Sequence, residues 1–229
     1  MEIVVDSLLE GARRARGVVV IIDVFRAYTT AAVALSKGAE KIILVAEVEE
    51  ALALRGDGVG DMCVGEVGGM RPEGFDFNNS PSQISAADLH GKTIIQSTRA
   101  GTVGMTAALE AVQLYGGSLA VASATIEAIR RLDPPLVTIV AMGSEGRIRT
   151  DEDEQCALFM RNLLQGVTPD HQSVRSLVLA GSEARKYGNP ATPHFPTEDR
   201  DMAVTIDSHD FAIRVTRENG LLVARKQTV

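Results

Sequence analysis

The sequence predicts an α/β protein, a three-layer α/β/α arrangement around a mostly parallel or mixed sheet. Two observations carry this. Apolar, β-branched runs alternate with Ala-rich helical stretches along most of the 229 residues, and a repeated strand–helix order implies a sheet with helices on both faces. The purest run, Val18-Val19-Val20-Ile21-Ile22, is apolar at every position, as expected of a strand covered on both sides.

Taken in order, that first strand ends at Asp23, and a helix follows over 27–37, stopped by Gly38. Residues 41–46 form a second strand and 47–54 a helix. A Gly-rich passage, 55–74, interrupts the rhythm, with 62–65 as a short strand inside it. The alternation resumes with a strand at 93–96, a helix over 102–115, a strand at 118–121 and a helix over 126–131. A buried strand at 136–141 and a helix over 152–164 follow. Beyond Thr168 come two more helical stretches, a Pro-rich loop at 189–196 and a terminal hairpin. There, 211–215 pairs with 221–224 across Glu218-Asn219-Gly220, where Asn-Gly is a strong turn signal. No fixed-period repeat, low-complexity tract or linker appears, so residues 1–229 read as one α/β domain or two closely packed lobes.

The totals narrow the function. A formal net charge of −7, no Trp and only 4% aromatics disfavour nucleic acid, which needs clustered cations and stacking platforms. Cys63 and Cys156 are far apart with no CxxC spacing, so neither a disulfide scaffold nor a zinc site is expected, and a reducing compartment fits best. The first seventeen residues carry acids and no signal-peptide core, and the run 18–22 is far too short to span a bilayer. The expectation is a cytoplasmic protein without a membrane partner. Its apolar content allows a homodimer.

In parallel sheets, ligands gather at the carboxyl ends of the strands, so the polar residues just after each strand are the candidates. After the first comes Asp23-Val24-Phe25-Arg26, with Thr29 and Thr30 in or near the first helical turn. The carboxylate can ligate a metal and the arginine can fork onto a phosphate; the plain alternative is a helix cap and an ion pair. After the short strand come Gly65-Glu66-Val67-Gly68-Gly69 and Gly74-Phe75-Asp76-Phe77-Asn78-Asn79-Ser80. Here glycines let the backbone approach an anion while Glu66 and Asp76 offer hard oxygens; turn chemistry in an ordinary loop explains them equally well. Ser97-Thr98-Arg99-Ala100-Gly101-Thr102 opens a helix, an arrangement suited to phosphate as well as to simple capping. Finally Glu152 and Asp153, in an acidic helix start, complement the helix dipole and place further carboxylates at the same edge. No GxxxxGK[ST], GxGxxG or GxSxG motif is present, and the four histidines show no metal-ligand spacing.

At these loops the sequence resembles the 2-phosphosulfolactate phosphatase family. The matching stretches are Val20 to Ala27 with Thr29-Thr30; Gly65-Glu66 with Gly68-Gly69; Gly74-Phe75-Asp76 with Asn79-Ser80-Pro81; Ser97-Thr98 with Gly101-Thr102; and Glu152-Asp153 with Cys156-Ala157. The resemblance implies magnesium-dependent hydrolysis of a small phosphorylated hydroxy acid. It implies catalytic roles for Asp23, Arg26, Glu66 and Asp76 and a metal held by some of Asp23, Glu66, Asp76, Glu152 and Asp153. Substrate would contact Thr29, Thr30, Asn79, Ser80, Ser97, Thr98, Arg99, Gly101 and Thr102. Whether water attacks directly or Asp23 first takes the phosphoryl group stays open. The chain departs from the family pattern at Val67, Ala100 and Val103, where donor-bearing side chains are expected, and at Asn78 and Val121. Each lost charge-assisted bond costs roughly 1.5–3 kcal/mol. Two alternatives to the sulfonated substrate follow: a non-sulfonated phosphorylated acid, and anion binding without catalysis.

Overall fold

The computed structural model describes all 229 residues, built on one ten-stranded mixed sheet. In chain order the elements are β1 (Glu2–Ser7), α1 (Leu8–Arg14), β2 (Gly17–Ile22), α2 (Ala27–Ser36), β3 (Lys41–Val45), α3 (Val48–Gly56), β4 (Met62–Gly65), β5 (Phe77–Asn78) and α4 (Pro81–Ser85). Then come β6 (Thr93–Ser97), α5 (Gly101–Ala107), β7 (Ala111–Gly117), α6 (Ala122–Leu132), β8 (Leu136–Ala141), α7 (Asp151–Leu164), α8 (His171–Ala180), α9 (Thr197–Ala203), β9 (Phe211–Glu218) and β10 (Leu221–Thr228). No helix is long and apolar enough to cross a membrane.

The strand order is β1-β8-β2-β7-β9-β10-β3-β6-β4-β5. The strands flanking the C-terminal hairpin are parallel within each half, β1-β8-β2-β7 on one side and β3-β6-β4-β5 on the other. The hairpin joins them through three antiparallel steps, β7–β9, β9–β10 and β10–β3. The sheet is thus mostly parallel, and the terminal hairpin is its middle, not an appendage. Neighbouring strands rotate by about 20–25° each. The two halves are bridged by loops: Asp23, just after β2, accepts the N–H of Gly101 at the start of α5 at 2.8 Å.

Both faces of the sheet are covered, as the unbroken apolar run in β2 requires. Val19 and Ile21 point into a core with Ala31, Leu35 and Met105 from α2 and α5. Val18, Val20 and Ile22 point into a second core with Ile126, Ile129, Phe159, Met160 and Val178 from α6, α7 and α8. This is the period-two side-chain alternation of a strand with an apolar layer on each side.

Two expected elements differ. The helix expected over 102–115 ends at Ala107, and its second half is β7. Ala-rich composition suggested a helix, but Leu114 and Tyr115 are placed by pairing with β2 and β9; tertiary context overrides a weak propensity here. The strand expected at 118–121 is a single 3₁₀ turn, Leu119–Val121, leading into α6. In addition, β1 forms the outer edge strand beside β8, from residues that carry too few apolar positions to stand out.

Candidate active site

Four loops meet at one edge of the sheet, those after β2, β4, β6 and β8, and three carboxylates stitch them together. Asp153, from the first turn of α7, accepts the Val24 N–H on Oδ1 and the Gly143 N–H on Oδ2, each at 2.8 Å, joining the β8 loop to the β2 loop. Asp23 accepts the Ala27 N–H at 3.0 Å and the Gly101 N–H at 2.8 Å, joining the β2 loop to α5. Glu66 accepts the Arg99 and Gly69 N–H groups, both at 2.8 Å, joining the β6 loop to the β4 loop. The chain of contacts runs β8–β2–β6–β4 and crosses from one half-sheet to the other. Charge-assisted bonds of this kind contribute about 1.5–3 kcal/mol each.

Around them lies a cavity of about 330 Å³, lined by Asp23, Arg26, Glu66, Asn79, Arg99, Glu152 and Asp153 among others. The sequence analysis anticipated those seven. The wall also includes Glu145, from the loop after β8 where carboxylates were expected, and Glu183, Lys186 and Phe195, which the sequence did not single out. Six carboxylates therefore face three cations, Arg26, Arg99 and Lys186.

The acids bear the mark of that crowding. Burial, with Glu66 nearby adding to it, raises the Asp23 carboxyl to about 6, against the pull of its two amide donors. Burial raises Glu152 to about 7, with Glu183 and Asp23 contributing. Asp153 is pushed well above the ordinary carboxylate range by burial and by Glu152 and Asp23 beside it. The buried Thr150 hydroxyl and the Glu152 backbone N–H lie near enough to the Glu152 carboxyl to oppose this rise, but neither reaches good hydrogen-bond geometry. Desolvated like charges at close quarters favour proton uptake or a bound cation.

Arg26 is 2% exposed yet lines the cavity. Its Nη1 donates to Asp199 Oδ2 at 2.8 Å and to the His194 carbonyl at 3.0 Å, and its Nη2 donates to the Gly69 carbonyl at 3.2 Å. The Phe195 ring lies 4.8 Å from its guanidinium carbon. The fork expected to hold phosphate is thus largely occupied by the protein. The unbonded Nε–H and second Nη2 hydrogen remain for a ligand.

The remaining expected contacts divide. Gly101 gives its amide to Asp23. Thr98 and Thr102 bond each other: the Thr98 N–H donates to Thr102 Oγ1 at 2.8 Å, and the Thr102 N–H donates to Thr98 Oγ1 at 3.1 Å. The amides expected to cradle phosphate at the start of α5 therefore already serve Asp23 and Thr98. An added Cβ at Gly101 would stand 2.9 Å from Asp23 Oδ2 and 2.7 Å from the Ala27 Cβ, so glycine is what lets the two loops approach. Thr29 donates to the Val24 carbonyl, and Ser97 to that of Ala46. Ser80 caps α4 and donates to Asp199. Thr30 is buried beside Ile42, Ile84 and Ile94 with no partner for its hydroxyl. These side chains build the floor and walls without facing the cavity.

Asp76 is not brought to the cavity. Its side chain is 40% exposed, pairs with Arg55 at 2.8 Å and accepts the Cys63 N–H at 2.8 Å, so it fastens the β4–β5 connection. Asp76→Ala is expected to keep kcat within about threefold while lowering Tm by roughly 2–8 °C, from the loss of about 1–2 kcal/mol. A kcat loss beyond tenfold would return Asp76 to the site.

The loops after β2, β4, β6 and β8 all fall within the segment that a known family model matches. The family model for 2-phosphosulpholactate phosphatase matches residues 4–188. A probable 2-phosphosulfolactate phosphatase of Bacillus subtilis (strain 168) is 29% identical over 203 residues, covering 87% of each chain. One from Thermus thermophilus is 38% identical over 136 residues, 59% of this chain and 56% of the relative. Another, from Carboxydothermus hydrogenoformans, is 37% identical over 134 residues, 58% and 55% of the two chains.

Proposed function

This chain belongs to the 2-phosphosulpholactate phosphatase family, a family of phosphoric monoester hydrolases, and on that premise we propose that it hydrolyses 2-phosphosulfolactate to sulfolactate and phosphate with magnesium. The observation that carries the reading is the cavity itself: buried, mutually repelling carboxylates beside a buried arginine, at the edge where four strand-end loops meet.

A polyanionic substrate does not enter a cavity with a surplus of acids unless a cation offsets them. No three acidic, cysteine or histidine side chains converge into a ready metal cage. Magnesium does not require one, since it takes one or two carboxylates and completes its shell with waters and substrate phosphate oxygens. The donor set here is oxygen only, which suits it. Asp23 and Glu152 would hold the ion: Asp23 retains a lone pair on each oxygen, and the only donors near the Glu152 carboxyl are the Thr150 hydroxyl and its own backbone N–H. When bound, it supplies Lewis-acid polarisation of the phosphoryl oxygens and a lowered pKa for its water. Asp153, fastened to two backbone amides, fixes the loop that presents Asp23. The free edge of Arg26 meets charge developing on the transferring phosphoryl group. Arg99 and Lys186, on the wall, meet the acid groups at the other end of the substrate. Both cysteines are free and buried, which suits a reducing, cytoplasmic setting.

Phosphate release from a panel of small phosphorylated hydroxy acids, 2-phosphosulfolactate included, tests the proposal. Absence of release from every member with magnesium or manganese would overturn it. Ala100 on the cavity wall, and the exposed Val67 between Glu66 and Gly68, offer no donors where the resemblance leads one to expect them. This favours, as a second reading, a substrate with fewer anionic groups, and the same panel separates the two.

Metal binding has a readout apart from turnover. Carboxyls raised in the folded state keep protons that the unfolded chain releases, so their contribution to stability is present below the unfolded pKa and is lost as pH rises through the folded values of about 6 and 7. In chelator, Tm is expected to fall between about pH 5 and pH 8 by several degrees, about 1 kcal/mol being worth roughly 2–4 °C at this size. Saturating magnesium should raise Tm more at the upper end than at the lower. A magnesium shift that is absent at pH 8 would count against the ion.

A further inference from the structure

Asp199 lies on α9, outside the segment matched by the family model, and is 0% exposed. Its two oxygens serve different partners. Oδ1 accepts from Ser80 Oγ at 2.8 Å, the Ser82 N–H at 2.9 Å and Ser82 Oγ at 2.6 Å, which anchors the carboxylate to the first turn of α4. Oδ2 accepts only from Arg26 Nη1, at 2.8 Å. One oxygen is held so that the other can hold the guanidinium.

The same C-terminal segment closes on Arg26 from two further sides. The His194 carbonyl accepts from Nη1 and the Phe195 ring packs over the guanidinium. Phe195 also rests on the glycine loop: a Cβ at Gly69, whose φ is +82°, would stand 2.4 Å from its Cζ. Of the five donor hydrogens on a guanidinium, those engaged lie on the side of Asp199, His194 and Gly69. Nε makes no hydrogen bond within the protein, and Arg26 lines the cavity. A guanidinium with two percent exposure has no solvent to stabilise an alternative pose, so its direction follows from the anion behind it.

We propose that Asp199 is a positioning residue of the active site, fixing Arg26 with its free edge toward the reacting group, so that residues 194–199 are part of the active centre. The inference rests on the phosphatase reading only for what Arg26 acts upon. The pairing itself stands without it.

The geometry supplies a selective variant. In Asp199→Asn the amide oxygen can keep the three donors now on Oδ1, while the NH₂ group faces the Arg26 N–H and cannot accept from it. The anchor to α4 survives and the grip on Arg26 is lost. Ser82→Ala does the reverse, removing one anchor donor and leaving the ion pair. With 2-phosphosulfolactate and magnesium, Asp199→Asn is expected to lower kcat by about 10²-fold, the scale of a misplacement near 1 Å, with KM within about threefold. Ser82→Ala should hold both constants within about twofold. In an Arg26→Lys background, Asp199→Asn should add less than about threefold, because the group it positions is already gone. Orthovanadate binding with magnesium, measured by calorimetry, reads the same site without turnover and should weaken at least about tenfold in Asp199→Asn and not in Ser82→Ala. Vanadate binding that Asp199→Asn weakens, in a protein whose wild type releases no phosphate, would refute the phosphatase reading and uphold the positioning role. Unchanged kcat and vanadate affinity in Asp199→Asn, or multiplicative losses in the double variant, would overturn that role. A wild type that binds no vanadate and cleaves no ester overturns both.

Discussion

Asp23→Asn is expected to lower magnesium-dependent phosphate release by about 10³-fold or more and to abolish the magnesium-induced rise in Tm, while the chain stays folded. Lewis-acid stabilisation by a bound divalent ion is worth several kcal/mol, and each 1.36 kcal/mol is about tenfold in rate. Asp23 also has a mechanical task, because its two oxygens accept the Ala27 and Gly101 amides. An asparagine can accept one of these and must present its NH₂ to the other, so one amide is left unpaired at a cost of about 1–3 kcal/mol. Opposing this, the variant no longer buries a carboxyl that desolvation has raised to about 6. The two effects have opposite signs, so Tm in chelator at neutral pH should move by no more than about 5 °C. Activity within tenfold of wild type would remove Asp23 from the chemistry; an unfolded variant would show instead that the carboxylate is needed mainly to join the loops.

What could be read from the sequence follows the reach of each signal. The alternation of buried strands with helices is local, and β2, β3, β6 and β8 lie where their apolar runs placed them. The loop residues after those strands were findable because a parallel sheet puts its chemistry at the carboxyl ends; Asp23, Glu66, Glu152 and Asp153 share one cavity for that reason. Ranking within the loops was not local. Asp76 and Glu66 look equivalent in sequence, and only the fold turns one toward Arg55 and the other toward the cavity. Gly101 and Thr102 read as a phosphate cradle, whereas the acceptors their amides meet are supplied by the chain itself, the Asp23 carboxyl and the Thr98 hydroxyl. Nothing in Thr197–Ala203 separates Asp199 from Glu198 or Asp201, since its partners lie 117 and 173 positions away. The reversal between the half-sheets was equally hidden: the Asn219-Gly220 turn announces a hairpin, but not its insertion between β7 and β3.

Arg26→Lys should reduce kcat by about 10²-fold or more and should also destabilise the fold, in contrast to Asp23→Asn. The guanidinium makes three hydrogen bonds in different directions, to Asp199, the His194 carbonyl and the Gly69 carbonyl, while lying against Phe195. An ammonium is a compact point charge with three donors, and it cannot keep these contacts, span the same distance and leave a planar edge for a phosphoryl oxygen. Lysine retains the charge and so still neutralises Asp199 in part. The expected loss of stability is therefore smaller than the about 3–5 kcal/mol that follows removal of one member of a buried pair. The sharper expectation concerns the substrate. If Arg26 acts on charge that develops during transfer, kcat falls with KM little changed; if it merely collects the ground-state anion, KM rises with kcat preserved. The same variant assayed with substrates bearing one, two or three anionic groups extends the test. An Arg26 acting at the phosphoryl group costs all of them the same factor, whereas one acting at the distal acid groups costs the most highly charged substrate most.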